Sequence, residues 1–312
     1  MKKKIAQIRH CIQQQYETFE FFKSMPYTML TKPELAFLHT LTRDVYQGEG
    51  KILDLGCFLG GSTYALASGL YENTLKNKEN LIYSYDLFVW DKYMHDFVKE
   101  KSGFKIGDSF HEYFLEKLHP FSKSIQSFQG DFMQYPWGGE GIEICFIDIA
   151  KNPSLNDFVV HNFFSSLLPG CTVIQQDFQF PSGFWLHITM EYFKEYIELV
   201  DDLAYNSRIY VVTKKIPEDV VQEFAYKKLS YETKHELLLN HLKTIPEKTN
   251  SYAWLAGILN QGLFYFWENE KELARECFEK ASTTFNGEKW HYDLFFNTVN
   301  QWTGWDYKSV QS

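Results

Sequence analysis

The chain has 312 residues, of which 45% are hydrophobic and 23% charged, so it can hold a large globular domain and a smaller one. Its net charge of −9 argues against a nucleic-acid backbone as partner, because phosphate contacts need a basic surface. No apolar run is long enough to cross a bilayer, so membrane insertion is not expected. The five cysteines lie far apart without a C-x-x-C pair, which predicts reduced thiols and a cytoplasmic protein.

The first two thirds of the chain alternate between helical and strand patterns. Residues 5–24 look helical, and a second helix is expected to start near Pro33. Strands are predicted at 51–55, 81–85, 124–129, 142–147, 171–176, 196–200 and 208–214. Helices are predicted between them at 62–70, 90–99, 109–118, 154–168 and 185–195. This alternation predicts a parallel sheet covered on both faces, and the short polar turn between the last two strands predicts an antiparallel edge hairpin.

From Pro217 onward the pattern is entirely helical. Residues 253–281 resemble one tetratricopeptide helix pair, but a single copy is not an array. We therefore expect these helices to stack on the preceding domain, or on a second subunit as a homo-oligomer, rather than to bind another protein. Three parts are predicted: N-terminal helices (1–47), an α/β domain (48–215) and a C-terminal helical domain (216–312).

The stretch 51–63, KILDLGCFLGGST, is a short apolar strand followed by a glycine-rich turn and the start of a helix. Its glycines let the backbone turn tightly and approach a ligand, and the helix that follows presents unpaired N–H groups. The spacing does not fit the G-x-G-x-x-G of dinucleotide binders, because three residues separate Gly56 from Gly60. The pattern instead predicts a nucleotide-type site at the carboxyl edge of the sheet.

Acidic residues stand at the ends of the predicted parallel strands. They are Asp54, Asp86, Asp131, Asp148 and Asp177. Carboxylates at the carboxyl ends of parallel strands meet in one crevice, where open α/β sheets bind ligands. The alternative is that each aspartate caps a helix or turn. Because five of them occur in register with a glycine loop, the binding-site interpretation is favoured.

The pattern D-x-G-x-x-x-G-G-S-T at 54–63 resembles motif I of the class I S-adenosylmethionine (SAM)-dependent methyltransferases, and residues 48–214 as a whole resemble their Rossmann-like, seven-stranded α/β fold. The resemblance implies SAM as cofactor. The cofactor-binding residues that it implies are Asp54, Gly56, Gly60, Gly61, Ser62, Asp86, Gly130 and Asp131.

Roles for these residues follow from the same resemblance. The turn from Gly56 to Gly60 would face the methionine end of SAM, and Asp54 would help to hold its ammonium. Asp86 would accept both ribose hydroxyls. Gly130 and Asp131 would lie at the adenine, with Asp131 accepting from the exocyclic amine.

Asp148, Lys151 and Asp177 resemble the site of the metal-dependent catechol-type O-methyltransferases. In that family two aspartates bind Mg²⁺ and the lysine is the base, which would make Asp148 and Asp177 metal ligands and Lys151 the group that deprotonates a hydroxyl. Phe178 stands where that family has an asparagine ligand, and Gln176-Asp177 is half of the acidic pair of macrocin-type sugar O-methyltransferases. Metal binding therefore stays open, and an ordinary ion pair is the alternative for Lys151.

His187 begins a helix near the same crevice and is an alternative base, since its ordinary pKa suits proton transfer near neutrality. A packed or helix-capping histidine is the other interpretation. Three aromatic residues nearby, Phe178, Phe180 and Trp185, would form either a wall against a ring-shaped substrate or part of the core.

The function expected from this resemblance is SAM-dependent O-methylation of a small hydroxylated acceptor, of the sugar or natural-product type, with or without Mg²⁺. The absence of an N/D-P-P-Y/F motif after the fourth strand disfavours nitrogen methylation. The alternative from another class is a non-catalytic protein that keeps the fold and binds a protein partner through its helical tail.

Overall fold

A computed structural model describes residues 1–13, 19–98, 103–203 and 206–305. At its centre is a seven-stranded sheet with the order β3-β2-β1-β4-β5-β7-β6. The strands are β1 (Lys51–Leu55), β2 (Ile82–Asp86), β3 (Ile125–Gln129), β4 (Ile142–Ile147), β5 (Leu167–Gln175), β6 (Ile197–Leu203) and β7 (Ser207–Val212).

Strands β1 to β5 pair in parallel, whereas β7 pairs antiparallel with both β5 and β6. The α/β fold class with a seven-stranded sheet and the antiparallel edge hairpin expected from the sequence are thereby confirmed.

Helices cover the sheet and form the C-terminal part of the chain. In chain order they are α1 (Lys2–Ile12), α2 (Lys32–Thr40), α3 (Gly61–Glu72), α4 (Lys92–Phe97), α5 (His111–Leu118), α6 (Pro153–Phe163), α7 (Phe184–Tyr192), α8 (Glu218–Glu223), α9 (Tyr231–Leu242), α10 (Tyr252–Trp267), α11 (Lys271–Thr284) and α12 (Lys289–Thr303). The predicted tetratricopeptide-like pair corresponds to α10 and α11. The C-terminal region is helical, as expected.

Several predicted boundaries differ from the structure by a few residues: the helix predicted over 154–168, for example, ends at Phe163, and two other differences change how a segment is assigned. The helix predicted over 5–24 ends at Ile12, with a separate 3₁₀ turn at Glu20–Lys23, and residues 14–18 between them lie outside the described residues. Strand β5 begins at Leu167, because the predicted Pro169-Gly170 turn is a bulge inside the strand, where the pairing with β4 shifts register between Ile142 and Ile144.

Alternating strand residues divide the core between the two faces of the sheet. On one face, residues such as Ile52 and Ile144 pack with α1, α2 and α3. On the other face, residues such as Leu53 and Cys145 share one apolar cluster with α6, α7 and the C-terminal helices α9 to α12. The C-terminal helices therefore pack on the α/β domain, which is one of the two arrangements that the sequence left open.

Two further features bear on the expectations from composition. All five cysteines are buried and free of disulfide bonds. Among the described residues, no helix combines the length and the apolar character needed to span a membrane.

Candidate active site

The carboxyl ends of β2, β1, β4 and β5 lie side by side and are tied together by backbone hydrogen bonds. The N–H of Gly56 donates to the carbonyl of Tyr85 at 2.8 Å, and that of Asp148 donates to Leu55 at 2.7 Å. The N–H of Gln176 continues the series to Ile147 at 2.9 Å. The strand-end aspartates therefore lie along one edge of the sheet, as the sequence predicts for parallel strands.

Three residues other than glycine adopt positive φ angles just beyond these strands. They are Phe58 (47°), Phe88 (54°) and Asp177 (56°), which follow β1, β2 and β5 respectively. This left-handed conformation costs free energy for residues with a Cβ and occurs disproportionately at functional sites. Strain at three strand ends along this edge supports a functional role for it.

Internal packing accounts for the glycines of the turn after β1. Gly56 has φ of +94°, and a Cβ there would lie 2.8 Å from the carbonyl oxygen of Asp148. Gly60 has φ of +99°, and its Cβ would meet the ring of Phe114 at 3.0 Å. A Cβ on Gly61 would lie 2.3 Å from Thr28. The turn is thus covered by its own protein at Gly60 and Gly61, a use of glycine that sequence alone does not distinguish from ligand contact.

Asp54 is fully buried and joins β1 to the start of α3. Its carboxylate accepts hydrogen bonds from the hydroxyls of Ser62, at 2.9 Å, and of Thr63. Burial raises the pKa of Asp54 to about 7, although the hydroxyls of Thr63 and Ser62 act in the opposite direction. The side chains of Asp54 and Ser62 therefore serve an internal contact in this structure, whereas the sequence interpretation placed both at the cofactor.

Asp86 links the ends of β1 and β2. One carboxylate oxygen accepts from the backbone N–H of Phe58 at 2.8 Å, and the other accepts from Phe88 at the same distance. Burial raises the pKa of Asp86, while hydrogen bonds from Phe88 and Phe58 oppose the shift. Each oxygen keeps a further lone pair, so the carboxylate can accept additional hydrogen bonds from a ligand.

The turn after β3 carries the other two predicted cofactor residues. Gly130 has φ of +126°, and its N–H donates to the carbonyl of Asp86 at 3.1 Å. Asp131 is exposed and caps a 3₁₀ turn by accepting from the N–H of Met133 at 3.0 Å. Met133 and Leu87, which follows Asp86, are both exposed apolar side chains.

The hydrogen-bond acceptors and apolar surfaces at this end of the sheet edge fit the adenosine part of SAM. Asp86 has acceptor capacity for ribose hydroxyls, and the exposed Asp131 carboxylate can accept from an exocyclic amine. Leu87 and Met133 offer apolar contact for a base. Gly56 is half-buried next to Asp148, and a ligand can approach its backbone closely because glycine has no Cβ.

Lys151 connects the ends of β4 and β5. Its ammonium donates hydrogen bonds to the carboxylates of both Asp148 and Asp177, and its side chain stays 51% exposed. Asp148 and Asp177 are only partly exposed. We call these three side chains the Lys151 triad.

Electrostatics within the triad keep the lysine charged. Desolvation by itself would lower the pKa of Lys151, but the neighbouring carboxylates of Asp148 and Asp177 raise it overall. Desolvation raises the pKa of Asp148, against the lowering effect of the Lys151 ammonium. A lysine held in its protonated form is poorly suited to the role of base, so the structure does not favour the deprotonating role that the resemblance implied.

The triad also bears on the expected Mg²⁺ site. The ammonium of Lys151 lies where a cation bridging the two carboxylates would be placed. Phe178 supplies no ligand atom, and the amide of Gln176 is hydrogen-bonded to Ser207. No group of three or more His, Cys, Asp or Glu side chains suited to a metal occurs among the described residues. Asp148 and Asp177 are thus occupied by an ion pair with Lys151 in this structure, and their role as Mg²⁺ ligands stays a prediction.

His187 lies in the core rather than in the crevice. Its ring packs against Phe178, with centroids 4.4 Å apart, and against His241 at 4.9 Å. Burial, together with the positive charge of Arg208, lowers the pKa of His187 to about 3. A neutral, buried imidazole of such low basicity is not suited to deprotonating a hydroxyl. The structure favours the packed-histidine interpretation.

The expected aromatic wall is largely core as well. Phe178 and Trp185 are buried, and the half-buried Phe180 packs on Phe295 at 5.8 Å. Of the two interpretations drawn from the sequence, core packing is the one that the structure supports for these residues.

Sequence reasoning missed Glu34, a buried carboxyl group next to the triad. Its carboxyl oxygen lies 2.6 Å from the Ser207 hydroxyl oxygen, and the same hydroxyl contacts Gln176. Ser207 has one proton, so one partner must donate to it: either a protonated Glu34 or the Gln176 amide in its rotated orientation. Burial raises the pKa of Glu34, which favours the protonated form.

The sequence around Glu34 shows only one of its contacts. Thr31 and Glu34 form a capping box at the start of α2, a pattern readable from the sequence. The contact with Ser207 depends on pairing of strands far along the chain, and no local pattern shows it.

Comparison with known proteins gave structural matches only. No protein-family model matches the chain, and no curated protein matches it. A structure of the O-methyltransferase NovP is 12% identical, covers 68% of this chain and 98% of its own, and has a TM-score of 0.48. The apo structure of CalS11, a TDP-rhamnose 3'-O-methyltransferase, is 14% identical with coverage of 68% and 93% and a TM-score of 0.44. A putative O-methyltransferase from Klebsiella pneumoniae is 13% identical with coverage of 68% and 89% and a TM-score of 0.40.

Proposed function

We propose that the chain is a SAM-dependent O-methyltransferase that acts on a small hydroxylated acceptor, of the sugar or natural-product type. The observation that carries the proposal is the position of the Lys151 triad. It lies at the ends of β4 and β5, beside the glycine turn after β1 and on the same edge of the sheet as Asp86. A sheet edge with a ribose acceptor at one strand end and charged groups at another suits transfer between a nucleoside cofactor and an acceptor molecule.

In this proposal Asp86 holds the ribose, Asp131 and Gly130 lie at the adenine, and the Gly56 turn approaches the methionine end. Asp54, Gly60, Gly61 and Ser62 act by shaping this turn and the start of α3. Residues that are exposed or can accept further hydrogen bonds are thus assigned to direct contact with SAM. Residues that are buried by contacts within the protein are assigned to shaping the turn.

The triad supplies the acid–base chemistry. When bound, SAM supplies a methyl group, and transfer forms an O–C bond while the C–S electron pair goes to sulfur. Asp148 takes the proton of the acceptor hydroxyl, since its raised pKa makes it a stronger base than an ordinary aspartate. Lys151 stays protonated and stabilises the negative charge that develops on the acceptor oxygen. Asp177 orients Lys151.

The wider assignments rest on the same proposal. The three parts 1–47, 48–215 and 216–312 act as one catalytic unit, whose acceptor is a small molecule and not a nucleic acid. The buried, reduced thiols suit a cytoplasmic protein. A homo-oligomer formed through the C-terminal helices is tested by the oligomeric state in solution.

The first experiment is a calorimetric titration of the purified chain with SAM, in the presence of Mg²⁺ and separately after EDTA. We expect binding on the order of micromolar, unchanged by EDTA. Incubation with SAM and a panel of sugars and phenols, followed by mass spectrometry, should then yield a methylated product.

Each result has a defined meaning. SAM binding with a methylated product supports the proposal. Absence of SAM binding under all conditions would overturn it and favour the non-catalytic scaffold. Binding or turnover that needs Mg²⁺ would overturn the metal-free triad and return Asp148 and Asp177 to the role of ligands.

A further inference from the structure

The loop that joins β5 to α7 contains two residues with strained backbones, and one of them belongs to the Lys151 triad. Asp177 has φ of 56° and Ser182 has φ of 84°, both in the left-handed region that residues with a Cβ rarely adopt. Such conformations persist only where surrounding contacts hold them. The contacts of this segment, residues 177–183, which we call the β5–α7 loop, therefore decide how Asp177 is presented to Lys151.

A buried amide from the C-terminal helices holds this loop. Asn260 is fully buried in the middle of α10, a helix that is otherwise largely apolar. Its Oδ1 accepts from the backbone N–H of Gly183 at 2.9 Å, and its Nδ2 donates to the carbonyl of Phe180 at 3.0 Å. A buried amide costs free energy unless it is hydrogen-bonded. Both hydrogen bonds that Asn260 makes outside its own helix go to the β5–α7 loop.

The two loop residues held by Asn260 are those that close on the backbone of Asp177. The N–H of Phe180 donates to the Asp177 carbonyl at 3.1 Å. A Cβ on Gly183 would lie 3.3 Å from the same carbonyl oxygen. Asn260 therefore fixes the turn around Asp177. Because φ of a residue sets the direction of its Cβ, the same turn directs the Asp177 carboxylate to the Lys151 ammonium.

A second contact from α10 holds the start of the loop. The hydroxyl of Tyr252 donates to the side-chain oxygen of Asn206, which lies just before β7. The backbone carbonyl of Asn206 in turn accepts from the N–H of Phe178 at 2.8 Å, and Phe178 directly follows Asp177. Tyr252 and Asn260 lie about two turns apart on α10, so one helix supports the loop at both ends.

We propose that Asn260 and Tyr252 are positioning residues for the Lys151 triad: by holding the β5–α7 loop, they keep the Asp177 carboxylate on Lys151. This inference rests on the proposed methyltransferase function and deepens it by giving the C-terminal helices a part in arranging the site. Once the loop is released, Asp177 returns to a negative φ, which turns its carboxylate away from Lys151. The ammonium then keeps only Asp148 and is no longer fixed beside the acceptor oxygen.

The test uses the full chain with the variants Asn260→Leu and Tyr252→Phe, and Asn73→Leu as the matched control. Asn73 is also a buried asparagine, and its amide donates to the backbone carbonyls of Thr42 at 2.8 Å and Tyr46 at 3.0 Å. It follows the last residue of α3, at the opposite end of that helix from the glycine turn. Circular dichroism establishes that each variant folds. If Asn260→Leu does not fold, Tyr252→Phe, which removes only a hydroxyl, decides the matter.

Three measurements are made on each variant. The NMR resonance of the Lys151 ammonium is recorded in chain that contains isotopically labelled lysine, and it is identified by its absence from Lys151→Met. SAM affinity is measured calorimetrically. Values of kcat and KM are measured with the sugar or phenol that the unmodified chain methylates.

We expect the Lys151 resonance to shift or broaden in both α10 variants and to stay unchanged in Asn73→Leu. In Asn260→Leu, kcat should fall roughly tenfold or more with KM and SAM affinity unchanged, because a small displacement of a catalytic group lowers the rate without removing binding contacts. An unchanged Lys151 resonance in both α10 variants would overturn the inference. An equal change in Asn73→Leu would also overturn it, since the loss of any buried amide would then have the same effect.

The inference and the proposed function can fail separately. Absence of SAM binding or of methylated product in the unmodified chain would count against the proposed function, whereas the Lys151 resonance would still show whether α10 holds the triad. Normal kcat in Asn260→Leu, in a chain that does methylate an acceptor, would leave the proposed function standing and remove the positioning role.

Discussion

The carboxylate of Asp86 accepts a hydrogen bond from the backbone N–H of Phe58 at 2.8 Å, which ties the end of β2 to the glycine turn after β1. Phe58 has a positive φ of 47°, so this contact helps to hold a strained residue in place. One side chain thus shapes the turn and also keeps acceptor capacity for a ligand.

The first prediction concerns which residues of the site bind the cofactor and which face the acceptor. Asp86→Asn should weaken SAM binding by roughly tenfold or more, because it removes a charged acceptor. Asp177→Asn should change SAM affinity much less, because Asp177 contacts Lys151. Calorimetry on both variants decides the matter, and equal losses would mean that the two ends are wrongly assigned.

The second prediction concerns Lys151. Lys151→Met keeps the apolar length of the side chain and removes the ammonium, so turnover should fall by roughly a hundredfold or more while SAM affinity is preserved. Lys194→Met is the matched control, since Lys194 forms a surface ion pair with Glu191. Steady-state rates on a confirmed acceptor provide the measurement. Full activity of Lys151→Met would remove the ammonium from the mechanism.

Much of the sheet could be predicted because its strands are locally recognisable. The run Ile142–Ile147 is apolar except for Glu143, as is typical of a strand buried on both faces, and the structure buries all six residues. The Pro169-Gly170 pair failed as a turn signal because the pairing of β5 with β4 continues around it as a bulge. Local turn chemistry does not report such long-range pairing.

The candidate site was predictable in position but less so in detail. Parallel topology alone places Asp86 and Asp148 along one edge of the sheet. The contact of Asp54 with Ser62 joins side chains from different elements, and so does the bridge from the Lys151 ammonium to two carboxylates. Such contacts cannot be read from local sequence.

The third prediction concerns the glycine turn. Gly56→Ala should lower the free energy of unfolding by about 2 kcal/mol or more, since φ is +94° and the new Cβ would lie 2.8 Å from the Asp148 carbonyl oxygen. Gly138→Ala is the control, because no atom lies within 4 Å of a Cβ there. Urea denaturation measures both, and similar small effects would mean that the turn tolerates a side chain.

The last prediction concerns acid stability and His187. Its pKa is lowered to about 3 in the folded chain, whereas an unfolded histidine titrates near pH 6.5. Below about pH 6.5 the unfolded state takes up a proton that the folded state does not, so the stability that His187 contributes is present above this pH and is lost as the pH falls. The loss amounts to about 1.4 kcal/mol for each pH unit.

His187→Leu removes this difference in proton uptake. Relative to the unmodified chain, the variant should gain about 2–3 kcal/mol in free energy of unfolding as the pH falls from 6.5 to 4.5, whatever the cost of the substitution at neutral pH. The control His119→Leu makes the same substitution at an exposed histidine. Urea unfolding at several pH values measures the difference. If His187→Leu and the unmodified chain gave parallel pH profiles, the pKa of His187 would not be lowered by folding. His187 could then no longer be excluded as the base, because the exclusion depends on its low basicity.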